Sequence, residues 1–438
     1  MERTWCKPLP AADLLIKGGR VVDPESGVDA VQDVLVKKGK VAEVGKDLQA
    51  GKGARVVDAA DMLVLPGFVD LHAHFRTPGR EDEEDLATVS AAAAAGGYVA
   101  AFGMANTEPV VDNAGLFNGL VQQAGHDAVV PVGFFASVTK GLEGQELTEM
   151  GELGAAGAVG FSDDGQPLPT AAITRRALQY VKVSKRFVAI HAQDASFFKG
   201  GQMHEGPASA RLGLTGIPDL CESLDVSRTL DIAAYEDADL HVCHVSTEKS
   251  LAAIARAKAA GVRVTAEATP HHLTLTDECV ASLDPNLKMN PPLRAESDRR
   301  ALVEALKTGL VDCVATDHAP HAIEEKDVPY EEAVFGCIGL ETAFGMLHAA
   351  LVETGDLDLA TLVTRMSTAP ARIAGLPAPS IAAGAVADLC VVDPAAVWTV
   401  TPEALQSRSW NSPWLGQELT GKVRLTVAAG RVAWDDLA

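Results

Sequence analysis

The residues in this chain best suited to chemistry are histidines and aspartates near the ends of short β-rich runs. The stretch LPGFVDLHAHFRTPG, residues 65–79, carries His72 and His74 two positions apart, so both point to one side of a strand, and Asp70 shares that side. FVAIHA carries His191 near its end, LHVCHV carries His244, and CVATDHA carries Asp317. Buried polar groups are costly unless satisfied, and metal coordination satisfies them. Nitrogen and oxygen donors without thiolate suit zinc ahead of manganese or cobalt. The seven cysteines (Cys6, Cys221, Cys243, Cys279, Cys313, Cys337 and Cys390) are dispersed with no CxxC pair, which argues against a disulfide framework and a thiolate zinc site. The turn GFSDDGQP adds Asp163 and Asp164, readable either as an ordinary acidic turn or as the source of a carboxylate bridging two ions. Four histidines and two aspartates exceed the needs of one catalytic zinc with an open position; they suit two ions ~3.5 to 4 Å apart.

Ligands so far apart in sequence need a fold that gathers strand ends. From about Pro66 to Leu376, the runs GFVDLHAHF, YVAAFGMA, VVPVGFF, AVGF, FVAIHA, DLHVCHV, RVTAEAT and CVATDHA alternate with alanine-rich helical segments such as LATVSAAAAAGG and EKSLAAIARAKAAG. This rhythm predicts an α/β fold, a TIM-like (β/α)8 barrel whose active site lies at the C-terminal ends of its strands. A doubly wound open sheet would show a glycine-rich phosphate turn after an early strand, and no such turn is present. Both chain ends read instead as hairpins, with turn signals in ADLLIKGGRVVDPESG, DVLVKKGKVAEVG and GKVRLTVAAGRVAWDD. They predict one small antiparallel β-sandwich domain assembled from residues 1–65 and 376–438, around a barrel at 66–375.

Composition narrows the function. Thirty-seven basic against 59 acidic residues leave a formal charge of -22, which speaks against nucleic acid and anionic membrane as partners. A small anionic substrate stays compatible, because a metal ion or an arginine reverses the potential inside a cleft. With no long apolar run and no signal-like N-terminus, the expectation is a soluble cytoplasmic protein.

The chain strongly resembles the amidohydrolase superfamily, and within it the bacterial class I dihydroorotases. The motifs are DLHAHFRTPG (70–79), NTEP (106–109), FSDDG (161–165), HAQD (191–194), CHVST (243–247), ATPHHL (268–273), MNPPLR (289–294), TDHAPH (316–321), FGCIGLET (335–342) and SWNSPWLGQELTGKV (409–423), so the resemblance spans nearly the whole chain. It implies two Zn2+ per chain, one held by His72, His74 and Asp317 and the other by His191 and His244, with Asp164 bridging them. Arg76, Asn106 and His321 would bind the substrate carboxylate, and Asn290 the ring or its carboxylate side. Arg76, two residues beyond His74, independently has the forked geometry a carboxylate favours. Gln193 stands where many relatives have glutamate, Ala105 where proline is common, and Ala369 where asparagine is frequent.

The implied reaction interconverts N-carbamoyl-L-aspartate with L-dihydroorotate and water in pyrimidine synthesis. A hydroxide held between the ions would attack the amide carbonyl, and Asp317 would carry the proton to the departing nitrogen. A hydantoinase or allantoinase is the nearest rival, but AVGFSDDG lacks the lysine such relatives use as a bridge. A scaffold for aspartate transcarbamoylase is a second rival, disfavoured because all six ligands are kept; an active enzyme that binds that partner, or itself, stays open. EEKDVPYEEAVFG (324–336) reads either as a loop over the site or as solvated decoration, and His271 and His272 either as outer partners of the site or as cap and core residues.

Overall fold

A computed structural model describes residues 3–437. Near the N-terminus, short apolar runs punctuated by glycine form β1 (Leu14–Asp23), β2 (Val28–Lys37), β3 (Lys40–Gly45), β4 (Arg55–Asp58) and β5 (Leu63–Pro66). The chain then alternates strands with helices through β6 (Phe68–Ala73), β7 (Tyr98–Gly103), β8 (Val132–Phe134), β9 (Val188–Ile190), β10 (Met203–His204), β11 (Gly216–Ile217), β12 (Leu240–Val242), β13 (Val264–Ala268) and β14 (Cys313–Val314). It closes with β15 (Leu389–Thr399), β16 (Glu418–Ala428) and β17 (Arg431–Asp435).

Both termini contribute to one sheet, ordered β17-β16-β15-β5-β1-β2-β3, with β4 also on β1. The seam is the antiparallel pair β15 and β5, where Val391 faces Val64 and Cys390 faces Leu65. Its core is its own: Ile16, Val34, Val64, Leu389 and Leu425 are fully buried together. The sheet is mixed where the hairpin signals predicted an antiparallel one. β4 and β5 return to β1 in parallel, because each follows a connection that crosses back along the sheet.

The middle strands are parallel throughout. β6, β7 and β8 form one run, and β9, β12, β13 and β14 form another. Single bridges from Phe161 to Ala136 and to Val188 connect the two runs on one side. A bridge from Ala73 to His318 connects them on the other. The predicted strand AVGF thus contributes one bridging residue instead of a strand. Helices lie between these strands, as the sequence expects. Leu86–Ala95 is capped by the Asp85 side chain, and Glu248–Ala259 by Thr247, whose hydroxyl accepts from the Ser250 N–H. Among the described residues, no helix is long and apolar enough to cross a membrane.

The loop leaving β6 is held by a close backbone approach. Arg76 has φ 60 and Gly79 φ 104, and the Glu108 N–H donates to the Pro78 carbonyl at 3.0 Å. A Cβ on Gly79 would collide with the Glu108 carbonyl oxygen. Gly79→Ala is therefore expected to lower stability by about 2 kcal/mol or more, read as a shift of the denaturant midpoint. An unchanged midpoint would mean the two loops separate freely.

Candidate metal centre

The six sequence-predicted ligands, each carried at or just beyond a strand end or on a connecting turn, meet in one buried cluster. Asp164 is its centre. Its carboxylate lies 3.5 Å from His72 Nε2, 3.6 Å from His74 Nε2, 3.7 Å from His191 Nδ1 and 3.6 Å from His244 Nε2. Asp317 Oδ1 lies 3.1 Å from His74 Nε2 and 3.5 Å from His72 Nε2. His72, His74 and Asp317 form one group able to hold a cation, and His72, Asp164 and His244 another. The aspartate pair left open by spacing, of which the resemblance names Asp164, is distinguished by its contacts. Asp163 accepts from the Val138 and Thr139 N–H groups at 2.7 and 3.0 Å and pins the turn, while Asp164 faces the imidazoles.

Outer partners fix which imidazole nitrogen is free. His72 Nδ1 donates to Glu267 Oε1 at 2.7 Å, leaving its Nε2 toward the aspartates. His74 Nδ1 donates to Asn106 Oδ1 at 3.0 Å with the same result. His191 is turned the other way: Nε2 meets Gln193 Oε1 at 3.2 Å, and Nδ1 faces His244 Nε2 at 2.9 Å. Such partners set tautomer and ring orientation at metal sites. His72 Nε2 and Asp164 Oδ1 are buried without any hydrogen-bond partner. Unpaired buried polar atoms are rare, and these two converge where a divalent cation would satisfy both. The donor set of imidazole and carboxylate fits zinc.

The electrostatics agree. Burial pushes the Asp164 and Asp317 carboxyls up, but the neighbouring imidazoles, His72 foremost, outweigh it and hold both well below the ordinary carboxylate range. Burial likewise opposes ionisation of Glu267, and His72 and His241 bring it down to about 2. Asp70 contrasts with these. It is turned from the cluster to accept from the Thr316 backbone and hydroxyl and from the His72 N–H, and burial leaves it raised to about 7. Its polarity is satisfied by the β14 loop, not by a metal.

The residues expected at a substrate carboxylate fall into two groups. Arg76 and His321 are neighbours: Arg76 Nη2 lies 3.2 Å from His321 Nε2, and the guanidinium is paired with buried Glu83 at 2.9 Å. Asn106 lies instead against the ligands, with its amide nitrogen 3.3 Å from Asp164 Oδ2. Asn290 donates to Gln193 Oε1 at 2.8 Å, beside His191. Gln193, the departure from glutamate, thus keeps a hydrogen-bonding place beside His191, a candidate ligand. His272 bonds Thr269 and the Pro291 carbonyl within a helix start, and His204 lies 3.2 Å from Arg294 Nη1. Both are structural.

Sequence reasoning passed over Glu267. It lies on β13 in the run RVTAEAT, fully buried, and joins His72 Nδ1 to His241 Nε2, the latter at 2.9 Å. The available signal was a single carboxylate inside an otherwise apolar strand. Glu83, between Arg76 and His321, was missed in the same way; it sits in the acidic stretch REDEED, where nothing separates it from exposed neighbours.

Comparison with known proteins agrees with this arrangement. A family model described as Dihydro-orotase-like matches residues 61–250. The chain is 45% identical over 422 residues to a dihydroorotase of Geobacter metallireducens, covering 96% of this chain and 99% of that one. It is 46% identical over 428 residues to a dihydroorotase of Anaeromyxobacter dehalogenans, covering 97% and 98%. Among solved structures it is similar to the L-hydantoinase (dihydropyrimidinase) of Arthrobacter aurescens, with a TM-score of 0.86 at 26% identity over 97% of this chain and 96% of that one. The chain belongs to the dihydroorotase-like family of the amidohydrolase superfamily.

Glu267→Gln keeps the size of the side chain but removes the charge that orients His72. Zinc affinity is expected to fall about 10- to 100-fold, measured by competition with a chromophoric chelator. Wild-type affinity would show that the His72 ring needs no such anchor.

Proposed function

We propose that this chain is a zinc-dependent dihydroorotase that interconverts N-carbamoyl-L-aspartate with L-dihydroorotate and water. The observation that carries the reading is Asp164, an aspartate within 3.5 to 3.7 Å of four imidazole nitrogens, in the place of a ligand shared by two ions. The L-hydantoinase named above shares the fold, but a bridge built on carboxylated lysine has no counterpart in AVGFSDDG. In this reading the parallel strands close into an eight-stranded barrel over residues 66–375, a closure supported by the bridges at Phe161 and His318. The mixed terminal sheet from residues 1–65 and 376–438 folds beside it as a sandwich.

His72, His74 and Asp317 would hold one zinc, His191 and His244 the other, and Asp164 both. Bound zinc would polarise the ring carbonyl and make water a competent nucleophile at neutral pH. The protein's own groups do the rest. Arg76 and His321 bind the carboxylate of the incoming acid and hold the ring so that its amide carbon faces the cluster. Asn106 keeps His74 in its tautomer, and Asn290 contacts the ring. Asp317, ionised and beside His74, takes the proton released as water adds to the carbon and passes it to the ring nitrogen when the C–N bond breaks. Ring closure runs the same steps backwards. A protein of charge -22 can draw in a dianion because the guanidinium and the cations set the local potential.

Zinc per chain, measured with ring closure and ring opening before and after chelation, tests the reading. About two zincs and chelator-sensitive turnover in both directions are expected. Full zinc content with no turnover of dihydroorotate, but turnover of a neutral hydantoin, would replace it. Arg76→Ala should cost about 2 to 5 kcal/mol in kcat/KM with zinc content unchanged, the scale of truncating a buried charge-assisted contact. A near-normal kcat/KM would remove Arg76 from substrate binding.

A further inference from the structure

The segment from His321 to Gly336 has little structure of its own. It holds one four-residue helix, Ile323–Lys326, and carries five acidic residues (Glu324, Glu325, Asp327, Glu331 and Glu332) but a single lysine. Its two ends are joined where His321 Nε2 donates to the Phe335 carbonyl at 2.8 Å. On one side it borders a cavity of about 700 Å3 lined by Pro285, Ile323, Asp327 and Trp410 among others, so packing does not back it there.

Arg80 pairs with Glu325 at 2.9 Å, and Asn411 accepts the His321 N–H at 3.2 Å and donates to the Gly336 carbonyl at 3.2 Å, but two lysines tie the segment to the chain before Asn290. Lys326 is buried and points out of the segment into the chain before Asn290; its ammonium donates to the carbonyls of Pro285 at 3.0 Å, Lys288 at 3.4 Å and Val334 at 2.8 Å. Lys288 is buried and points the opposite way. Its ammonium donates to the carbonyls of Tyr330 at 2.9 Å and Glu331 at 3.0 Å, and lies 4.9 Å from the Phe335 ring centroid. The Lys288 carbonyl also accepts the Gly336 N–H at 2.9 Å. Among the described residues both ammoniums bond backbone carbonyls and neither forms an ion pair, an uncommon state for buried lysine. Burial pushes Lys326 down to about 8, so the carbonyls do not fully offset the loss of water. A methionine of similar length would avoid that cost, but it could not reach backbone oxygens on both segments.

Resting on the dihydroorotase reading, we propose that Lys326 and Lys288 are reciprocal positioning residues: they lock segment 321–336 to segment 285–290 so that His321 and Asn290 present themselves to the same substrate. His321 is carried by one segment and Asn290 by the other. Among the described residues, the polar side-chain ties between the segments are these two ammoniums. Loss of either loosens the segment behind His321, while His72 and His74 keep their own anchors on Glu267 and Asn106 and Asp317 keeps His74.

The test is Lys326→Met and Lys288→Met in the full chain loaded with zinc. KM for dihydroorotate is expected to rise about ten-fold or more, the scale of losing hydrogen bonds from a charged donor. Zinc content and kcat should stay within about two-fold, since the lysines act through His321 and not on the ligands. In a background carrying both His321→Ala and Asn290→Ala the lysine change should add nothing further, because its effect passes through those two side chains. A readout independent of activity is chymotrypsin cleavage at Tyr330 and Phe335, expected to be faster in both variants. Unchanged KM and cleavage overturn the proposal. So does a parallel loss of zinc and kcat, or a failure of both variants to fold, either of which makes the pair a general stabiliser. A wild-type chain that turns over no dihydroorotate, yet gains cleavage sites in the variants, would sink the dihydroorotase reading while leaving the clamp itself standing.

Discussion

A carboxylate taken out of water is expensive, and Asp164 is almost wholly buried. Four imidazoles crowd it within 3.7 Å, with one oxygen left unpaired. No apolar core would tolerate that arrangement by itself. It persists because the strands that carry the histidines are parallel and end at the same level, so the groups able to offset the charge arrive from several directions at once. The site is a condition on the fold as much as a product of it.

The second layer shows how the first is kept in order. An imidazole can turn over or change tautomer, and either would spoil a ligand set. Glu267, Asn106 and Gln193 each take one nitrogen of a clustered histidine and thereby leave the other facing inward. Glu267 does this for His72 while also receiving His241 and the backbone of His244, so one side chain on β13 ties three strands together. Asp163 and Asp70 perform the matching task on the backbone, the first on the turn before Asp164 and the second on the loop before Asp317. Several site residues also sit at positive φ, among them Arg76 at 60, His244 at 32 and Asp317 at 50. Such backbone is costly for side chains with a Cβ and survives only where surrounding contacts over-determine it.

Charge is organised on a larger scale around the entrance. Arg76 brings a guanidinium to the cluster's edge, and buried Glu83 balances it while also lying 3.2 Å from His321 Nδ1. Carboxylates crowd this edge as well, Glu325 lying 3.1 Å from His321 Nδ1 and 2.9 Å from Arg80 Nη2, so each cation there is matched by a neighbouring acid.

Much of this was legible in the sequence, for a definite reason. A strand puts residues two apart on one face, so His72 and His74 declared a shared direction, and the alternation of strands and helices declared that distant strand ends would be gathered together. Residue type then limited the chemistry to imidazole and carboxylate. What sequence alone left open is whatever depends on partners far along the chain. By spacing it could not tell Asp163 from Asp164, which the family resemblance singled out, because adjacent carboxylates differ only in what they meet. It could not single out Glu267 or Glu83, because one carboxylate in a strand and one in an acidic run look alike until burial pairs them. It expected an antiparallel terminal sheet, since local turn signals describe neighbours in sequence and not the parallel return of β4 and β5 onto β1. Local spacing fixes direction and chemistry; tertiary packing decides which of several equivalent groups is buried, because burial is what turns a polar side chain from a solvated bystander into a group that must find its partner.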